Sequence, residues 1–450
     1  MTTNAELIER DLSVLWHPCT QMSDHEWLPL LPIRRGEGVW LEDFDGNRYI
    51  DTLSSWWVNL FGHANPRINR ALKTQMEELE HVILAGCGHE PAVALAEKLR
   101  ETTPPGLDRC FYADNGSAAV EVAIKMSYHY WRNRNQEDRR KFVTLSNSYH
   151  GETLGALAVG NVDLYKATYG PLLMDVLTAP SPDCFEREEG ESWEEYSRRM
   201  FRPMAELLER EHEQVSAVIV EPLVQCAGGM RMYHPVYLKL LREACDHYGI
   251  HLIADEIAVG FGRTGSLFAC GQADITPDFM CLSKGLTGGY LPMSAVMMTE
   301  EIYQGFYDRY ENLTAFLHSH SYTGNPLACS VALETLAIFE DEDVIERNRA
   351  KAERIAQAFA PLADHPNVGE VRQHGMILAA EMMKDPKTRE PYPWQERRGL
   401  HVYRHALKHE ALMRPLGHVF YFMPPYVISD EQIEHCARVA MEGIDRATAA

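Results

Sequence analysis

Asp255 and Lys284 are the two residues whose type and setting most readily do chemistry. Asp255 closes the apolar run His251-Leu252-Ile253-Ala254, and Lys284 follows the apolar run that begins at Phe279. If both runs are strands of a doubly wound sheet, the two side chains emerge at its carboxyl edge, where ligands bind. Lys284 is flanked by Ser283, Gly285 and Gly288-Gly289, small neighbours that leave room for a flat ring beside an imine-forming amine. A strand-end aspartate suits the pyridine nitrogen of pyridoxal phosphate, which must stay protonated if the ring is to accept electrons from a substrate carbanion. By spacing alone, a surface lysine and an ion-paired aspartate remain the commoner arrangement.

The elements that must position this pair are legible as short β-rich runs alternating with amphipathic stretches. Strands are predicted at 109–113, 141–146, 215–220, 251–254, 279–283 and 294–298. Between the first two, Val120, Ile124, Ser127, Tyr128 and Trp131 recur at helical spacing, and 237–248 does the same ahead of the fourth. This is the pattern of an α/β domain with a mostly parallel sheet covered by helices. Upstream, 38–50 alternates around Asp45-Gly46, a hairpin signal, and Pro66 opens a helix with an apolar face of Ile68, Leu72, Met76, Leu79 and Ile83. Downstream come helices at 326–339 and 344–362, strands near 368–371 and 376–382, a helix from Gln395, and strands around Leu412 and Tyr421. A last helix begins at the capping box Ser429 to Gln432. The organisation read from this is a large domain over 61–330 and a smaller α+β domain assembled from both termini, 1–60 and 331–450.

Several alternatives fall away. There is no Walker A loop, HExxH or GxSxG. Gly260, Gly262 and Gly265 form GxGxxG after a strand, but 266–277 lacks a helical pattern and contains a proline, against a dinucleotide site. His318 and His320 lack a third ligand at suitable spacing, so no metal is expected. The net charge of −22, with no basic cluster, argues against nucleic acid. The acidic stretch 186–195 reads as a solvated loop and helix face. Absence of an 18-residue apolar run or a secretory leader argues against a membrane partner. Ten cysteines without a CxxC fit reduced thiols in the cytoplasm.

Longer runs then point to a family. Ala254-Asp255-Glu256-Ile257 with Gly260-Phe261-Gly262-Arg263-Thr264-Gly265, Ser283-Lys284-Gly285-Leu286-Thr287-Gly288-Gly289, and Thr323-Gly324-Asn325-Pro326-Leu327-Ala328 resemble the class III aminotransferases of pyridoxal-phosphate fold type I. Leu15-Trp16-His17-Pro18, Ser54-Ser55-Trp56-Trp57, Tyr149-His150-Gly151, Glu221-Pro222, Arg414-Pro415 and Tyr421-Phe422-Met423-Pro424-Pro425-Tyr426 resemble the branch that aminates 8-amino-7-oxononanoate in biotin synthesis.

The resemblance implies a homodimer with shared active sites, small-molecule substrates and pyridoxal 5'-phosphate as cofactor. It makes Lys284 the imine anchor and proton carrier, and Asp255 the partner of the ring nitrogen. Gly116 and Ser117 would meet the phosphate at a helix N-terminus, as the helix dipole also favours. Tyr149 and Ile257 would lie on the two faces of the ring, and Ser321 would reach the phosphate across the dimer interface. Trp56, Tyr149, Lys284, Ser319 and Arg414 would line the substrate site, Arg414 gripping the keto acid's carboxylate. The amino donor implied is S-adenosylmethionine or lysine; a broad ω-aminotransferase is the rival. Cys19 after His-Pro, Glu152 after His-Gly, and His320-Ser321 depart from the family's usual tyrosine, aspartate and Pro-Thr.

Overall fold

The computed structural model describes residues 2–449. They form two compact units, one of 2–66, 353–371 and 378–449, the other of 67–352 and 372–377. The second unit runs on to 352, past the expected 330, because the helix Pro326–Asp341 packs on Glu90–Thr102 of that unit.

Seven strands make the sheet of the second unit, in the order Arg109–Ala113, Ser294–Met298, Phe279–Leu282, His251–Asp255, Val215–Val220, Lys141–Leu145, Leu177–Ala179. Only Ser294–Met298 runs antiparallel to its neighbours; the other pairings are parallel. Covered on both faces, Val215–Val220 and His251–Asp255 are buried at every residue, which is why they read as continuous apolar runs rather than alternations. The helix Gly116–Asn133 buries Val120, Ala123, Ile124 and Trp131 against Ala217, Ile219, Ile253 and Phe279. His251 is swallowed with them: its ring stacks on Trp131 at 4.4 Å and Nδ1 lies 2.9 Å from Ser127 Oγ. Burial pulls its pKa down to about 3, so it is neutral and structural.

The first unit joins the chain's two ends. Strands Ile33–Glu37, Trp40–Asp43 and Arg48–Asp51 form an antiparallel sheet whose last strand takes Ala411–Leu412 in parallel. Thr52 O accepts from Met423 N at 3.0 Å, and Leu60 O from Tyr426 N at 2.7 Å. The final helix, Asp430–Ala449, packs on Gly399–Leu407.

Two expectations are corrected. The helix after the hairpin, Pro66–Glu78, buries only Ile68 of its expected apolar face, while Met76 and Ile83 are 61% exposed. The helix expected from Gln395 begins at Gly399, after a short turn at Trp394–Glu396. The edge strand Leu177–Ala179 is too short to leave a periodic signal. The acidic stretch serves a specific end: Ser192 and Glu195 cap the helix Trp193–Glu211 reciprocally, with Glu194 and Glu195 at its positive pole. After the three glycines comes only the short turn Ala269–Ala273. Among the described residues no helix is long and apolar enough to cross a membrane.

The last helix is closed by the predicted box: Ser429 N donates to Gln432 Oε1 at 2.8 Å and Gln432 N to Ser429 Oγ at 3.3 Å. Ser429→Ala is expected to cost about 1 kcal/mol of unfolding free energy, read as a lower denaturant midpoint at unchanged slope. An unshifted midpoint would show that the tertiary packing of this helix makes the cap redundant.

Candidate active site

The carboxyl edge of the second unit's sheet gathers most of the predicted residues, because each follows a strand end. Asp255 ends its own strand and pairs in register with Cys281, which places it beside the strand that delivers Lys284. Tyr149 and His150 follow Lys141–Leu145, Glu221 follows Val215–Val220, and Gly116 and Ser117 follow Arg109–Ala113.

Asp255 is buried and held from two sides: Oδ2 lies 2.7 Å from His150 Nδ1, and Oδ1 accepts from Ile257 N at 3.1 Å. Glu221 Oε2 accepts from Tyr149 N at 2.9 Å and Oε1 from Cys226 N at 3.0 Å. Burial raises the pKa of Glu221 to about 7; His150 opposes the rise and Asp255 adds to it. At Lys284 burial pulls the ammonium's pKa below the usual lysine range, against Asp255, Cys226 and Glu221, which favour the charge. The backbone there is left-handed, with φ 44° at Lys284. An amine so placed sheds its proton more readily than a surface lysine and becomes nucleophilic.

Asn115 caps the helix Gly116–Asn133 through Ala118 N, and Ala119 N bonds Asn115 O, which leaves the Gly116 and Ser117 amides at the helix's positive end for an anion. Ile257 closes on this turn: a Cβ on Gly116 would come within 3.0 Å of its Cγ2. Ser117 Oγ accepts from Glu152 N at 3.0 Å, and Glu152 Oε1 accepts from the Tyr149 hydroxyl at 2.9 Å, so the departure at Glu152 braces the Tyr149 ring. His150 Nε2 is buried and finds no hydrogen-bond partner among the described residues. A flat, anionic, nitrogen-bearing ring fits this setting: a carboxylate for its nitrogen, helix amides for its phosphate, an amine for its aldehyde.

Ser319 and Ser321 are not brought into this cluster. Both are exposed, on a segment that runs past the helix's start, where His320 Nδ1 lies 3.2 Å from Asp114 and Lys125 Nζ 2.8 Å from His318 Nδ1. Trp56 and Arg414 belong to the first unit. There the Arg414 guanidinium carbon lies 5.0 Å from the Trp56 ring centre, and Nη2 reaches Cys19 O at 3.4 Å. Trp56 stands on an unusual turn. Ser54, Ser55, Trp56 and Trp57 have φ of 50°, 48°, 71° and 72°, one left-handed turn of four non-glycine residues. Each such residue costs roughly 1–2 kcal/mol, so the surroundings must hold the turn.

Sequence reasoning gave His150, Glu221 and Asp51 no role, although the first two directly follow strands at the edge that carries Asp255. One histidine cluster also went unread: His405, His409 and Glu442 in the first unit, with His405 Nε2 3.0 Å from Glu442 Oε2. No ion is needed to account for it, because the imidazole and carboxylate satisfy each other.

The aminotransferase class-III sequence model matches residues 21–444. A Helicobacter pylori protein named adenosylmethionine-8-amino-7-oxononanoate aminotransferase is 47% identical over 450 residues, 99% of each chain. One of the same name from Geobacter sulfurreducens is 42% identical over 421 residues, 93% of each chain. Among solved structures, that aminotransferase from Methanocaldococcus jannaschii superposes with a TM-score of 0.93 at 38% identity, over 98% of this chain and 99% of that one. An omega transaminase from Pseudomonas jessenii in complex with PMP reaches 0.93 at 29% identity, over 98% of each.

The loop carrying Tyr149 and His150 is packed with no slack: a Cβ on Gly228 would stand 2.0 Å from Asn147 O, a backbone atom with nowhere to go. Gly228→Ala is expected to destabilise the protein by about 1–3 kcal/mol. Thermal unfolding checks this, and an unchanged midpoint would mean that 147–150 can move as a body.

Proposed function

Since the chain belongs to the class-III aminotransferase family, whose members depend on pyridoxal phosphate, we propose that it transfers an amino group to 8-amino-7-oxononanoate. The product is 7,8-diaminononanoate, on the route to biotin, and the donor is S-adenosylmethionine, in keeping with the names of its near-full-length relatives. The observation that carries the acceptor is Arg414 set against Trp56, a carboxylate-binding fork beside an exposed indole that an aliphatic chain can cover.

Bound at the sheet edge, the cofactor supplies a protonated pyridine ring that takes up the electron pair left on a substrate carbon. Asp255 keeps that ring nitrogen protonated, and His150 with Ile257 N fixes the carboxylate's direction. Lys284 anchors the cofactor through its amine and, once released, carries the proton to and from the substrate's reacting carbon. Gly116 and Ser117 would hold the phosphate, and Ile257 and Tyr149 would flank the ring. Donor and acceptor use Asp255 and Lys284 in turn, while Arg414 and Trp56 serve the acceptor.

The working protein is a homodimer in which Ser321 reaches the partner's phosphate site and Ser319 the substrate. Support comes from the apolar surface around that segment, where Ile83, Leu317 and Tyr322 are exposed and His81 packs 5.1 Å from Tyr322. Ten free thiols suit the reducing cytoplasm. The likeness to the Pseudomonas jessenii enzyme favours a second reading, a broad ω-aminotransferase with pyruvate or 2-oxoglutarate as acceptor.

Arg414→Ala separates the two. A charged hydrogen bond of about 1.5–3 kcal/mol corresponds to a loss of about 10- to 150-fold in specificity constant for 8-amino-7-oxononanoate. The half-reaction with S-adenosylmethionine, followed by the cofactor's absorbance, should lose far less. An equal loss in both half-reactions, or in neither, removes Arg414 from the acceptor site.

A further inference from the structure

Asp51 lies outside every role assigned so far, yet it is wholly buried and its carboxylate is used on both oxygens. Oδ1 accepts from Leu53 N at 3.3 Å and Ser55 N at 3.0 Å. Oδ2 accepts from Ser55 Oγ at 2.7 Å and faces His63 Nε2 at 3.0 Å. His63 is itself fixed: its Nδ1 lies 3.1 Å from Asn59 Nδ2. Its backbone exchanges bonds of 3.0 and 2.7 Å with Gly38.

These bonds converge on the left-handed turn Ser54–Trp57. The two ends of the turn have other anchors: Ser54 Oγ donates to Met423 O at 2.8 Å, and Trp57 Nε1 donates to the Tyr421 hydroxyl at 3.3 Å. In the middle, Asp51 takes both the amide and the hydroxyl of Ser55, and the Trp56 ring meets Arg414. Trp56, the next residue, has φ 71° and a side chain 46% exposed. Its Cβ direction turns with its backbone, so relaxation at Ser55 swings the indole away from Arg414.

We propose that Asp51 is a positioning residue for the acceptor: through Ser55 it holds the left-handed turn that stands the Trp56 indole against Arg414. The inference rests on the reading of Trp56 and Arg414 as the acceptor's binding surface, and its test keeps the two apart. Asp51→Asn keeps the size of the side chain but replaces one acceptor oxygen with a donor amide and removes the charge facing Ser55 and the His63 ring.

The experiment compares holoenzyme carrying Asp51→Asn, Trp56→Leu or both, measuring each half-reaction in single turnovers and thermal unfolding alongside. Asp51→Asn should raise the half-saturating concentration of 8-amino-7-oxononanoate about tenfold, with the saturated rate and the donor half-reaction within about threefold of the parent. In the Trp56→Leu background the same change should add less than about twofold, because both substitutions remove one arrangement. Tryptophan fluorescence of the parent should respond to the acceptor, and that response should shrink in Asp51→Asn. A full tenfold effect in the Trp56→Leu background, an equal loss in both half-reactions, or unaltered acceptor saturation in Asp51→Asn would overturn the positioning role. If Trp56→Leu alone leaves acceptor saturation unchanged, the acceptor surface itself has been misplaced, and the role falls with it. Should Asp51→Asn fail to fold, Ser55→Ala deletes one bond and should give about a threefold rise in the same concentration; no rise overturns the proposal.

Discussion

The second unit is organised around one costly arrangement, charged groups held out of water at the carboxyl edge of a parallel sheet. Asp255, His150, Glu221 and Lys284 come from neighbouring strand ends, and burial works against the charges of Glu221 and Lys284. The protein offsets this with fixed partners: imidazole and backbone amide for Asp255, two backbone amides for Glu221. Those partners demand tight loops, and the loops demand glycine where other backbone comes close, as Gly228 does against Asn147. What results is a buried lysine whose pKa burial pulls below the usual lysine range, next to a carboxylate held on both oxygens.

The first unit solves a different problem by similar means. There a left-handed turn of non-glycine residues presents a large aromatic ring, and a buried carboxylate with an imidazole behind it hydrogen-bonds the turn's second residue. In both units a buried carboxylate is held by a histidine: Asp255 by His150 in the second, Asp51 by His63 in the first. Substitutions at the inner residues should therefore alter geometry before they alter chemistry.

Much of this was legible in the sequence. Strands such as 215–220 and 294–298 stand where their apolar runs put them, since a strand buried on both faces leaves a continuous signal. Asp255 and Lys284 stood out because small or apolar residues frame them. The role of His150 did not, because its pairing with Asp255 spans 105 positions and has no local trace. The left-handed turn was equally hidden: Ser-Ser-Trp-Trp contains no glycine to announce positive φ, and the conformation is imposed by Asp51 and by residues near the other end of the chain. The exposed face of Pro66–Glu78 misled for the opposite reason, since a helical stripe reports apolar surface without saying what covers it.

The most direct test of the central claim is to load the protein with pyridoxal phosphate, reduce it with borohydride and locate the covalent phosphopyridoxyl label by peptide mass spectrometry. The account predicts one label, on Lys284, with loss of the cofactor's imine absorbance. A label on another lysine, or unlabelled protein that still transfers amino groups, would contradict it.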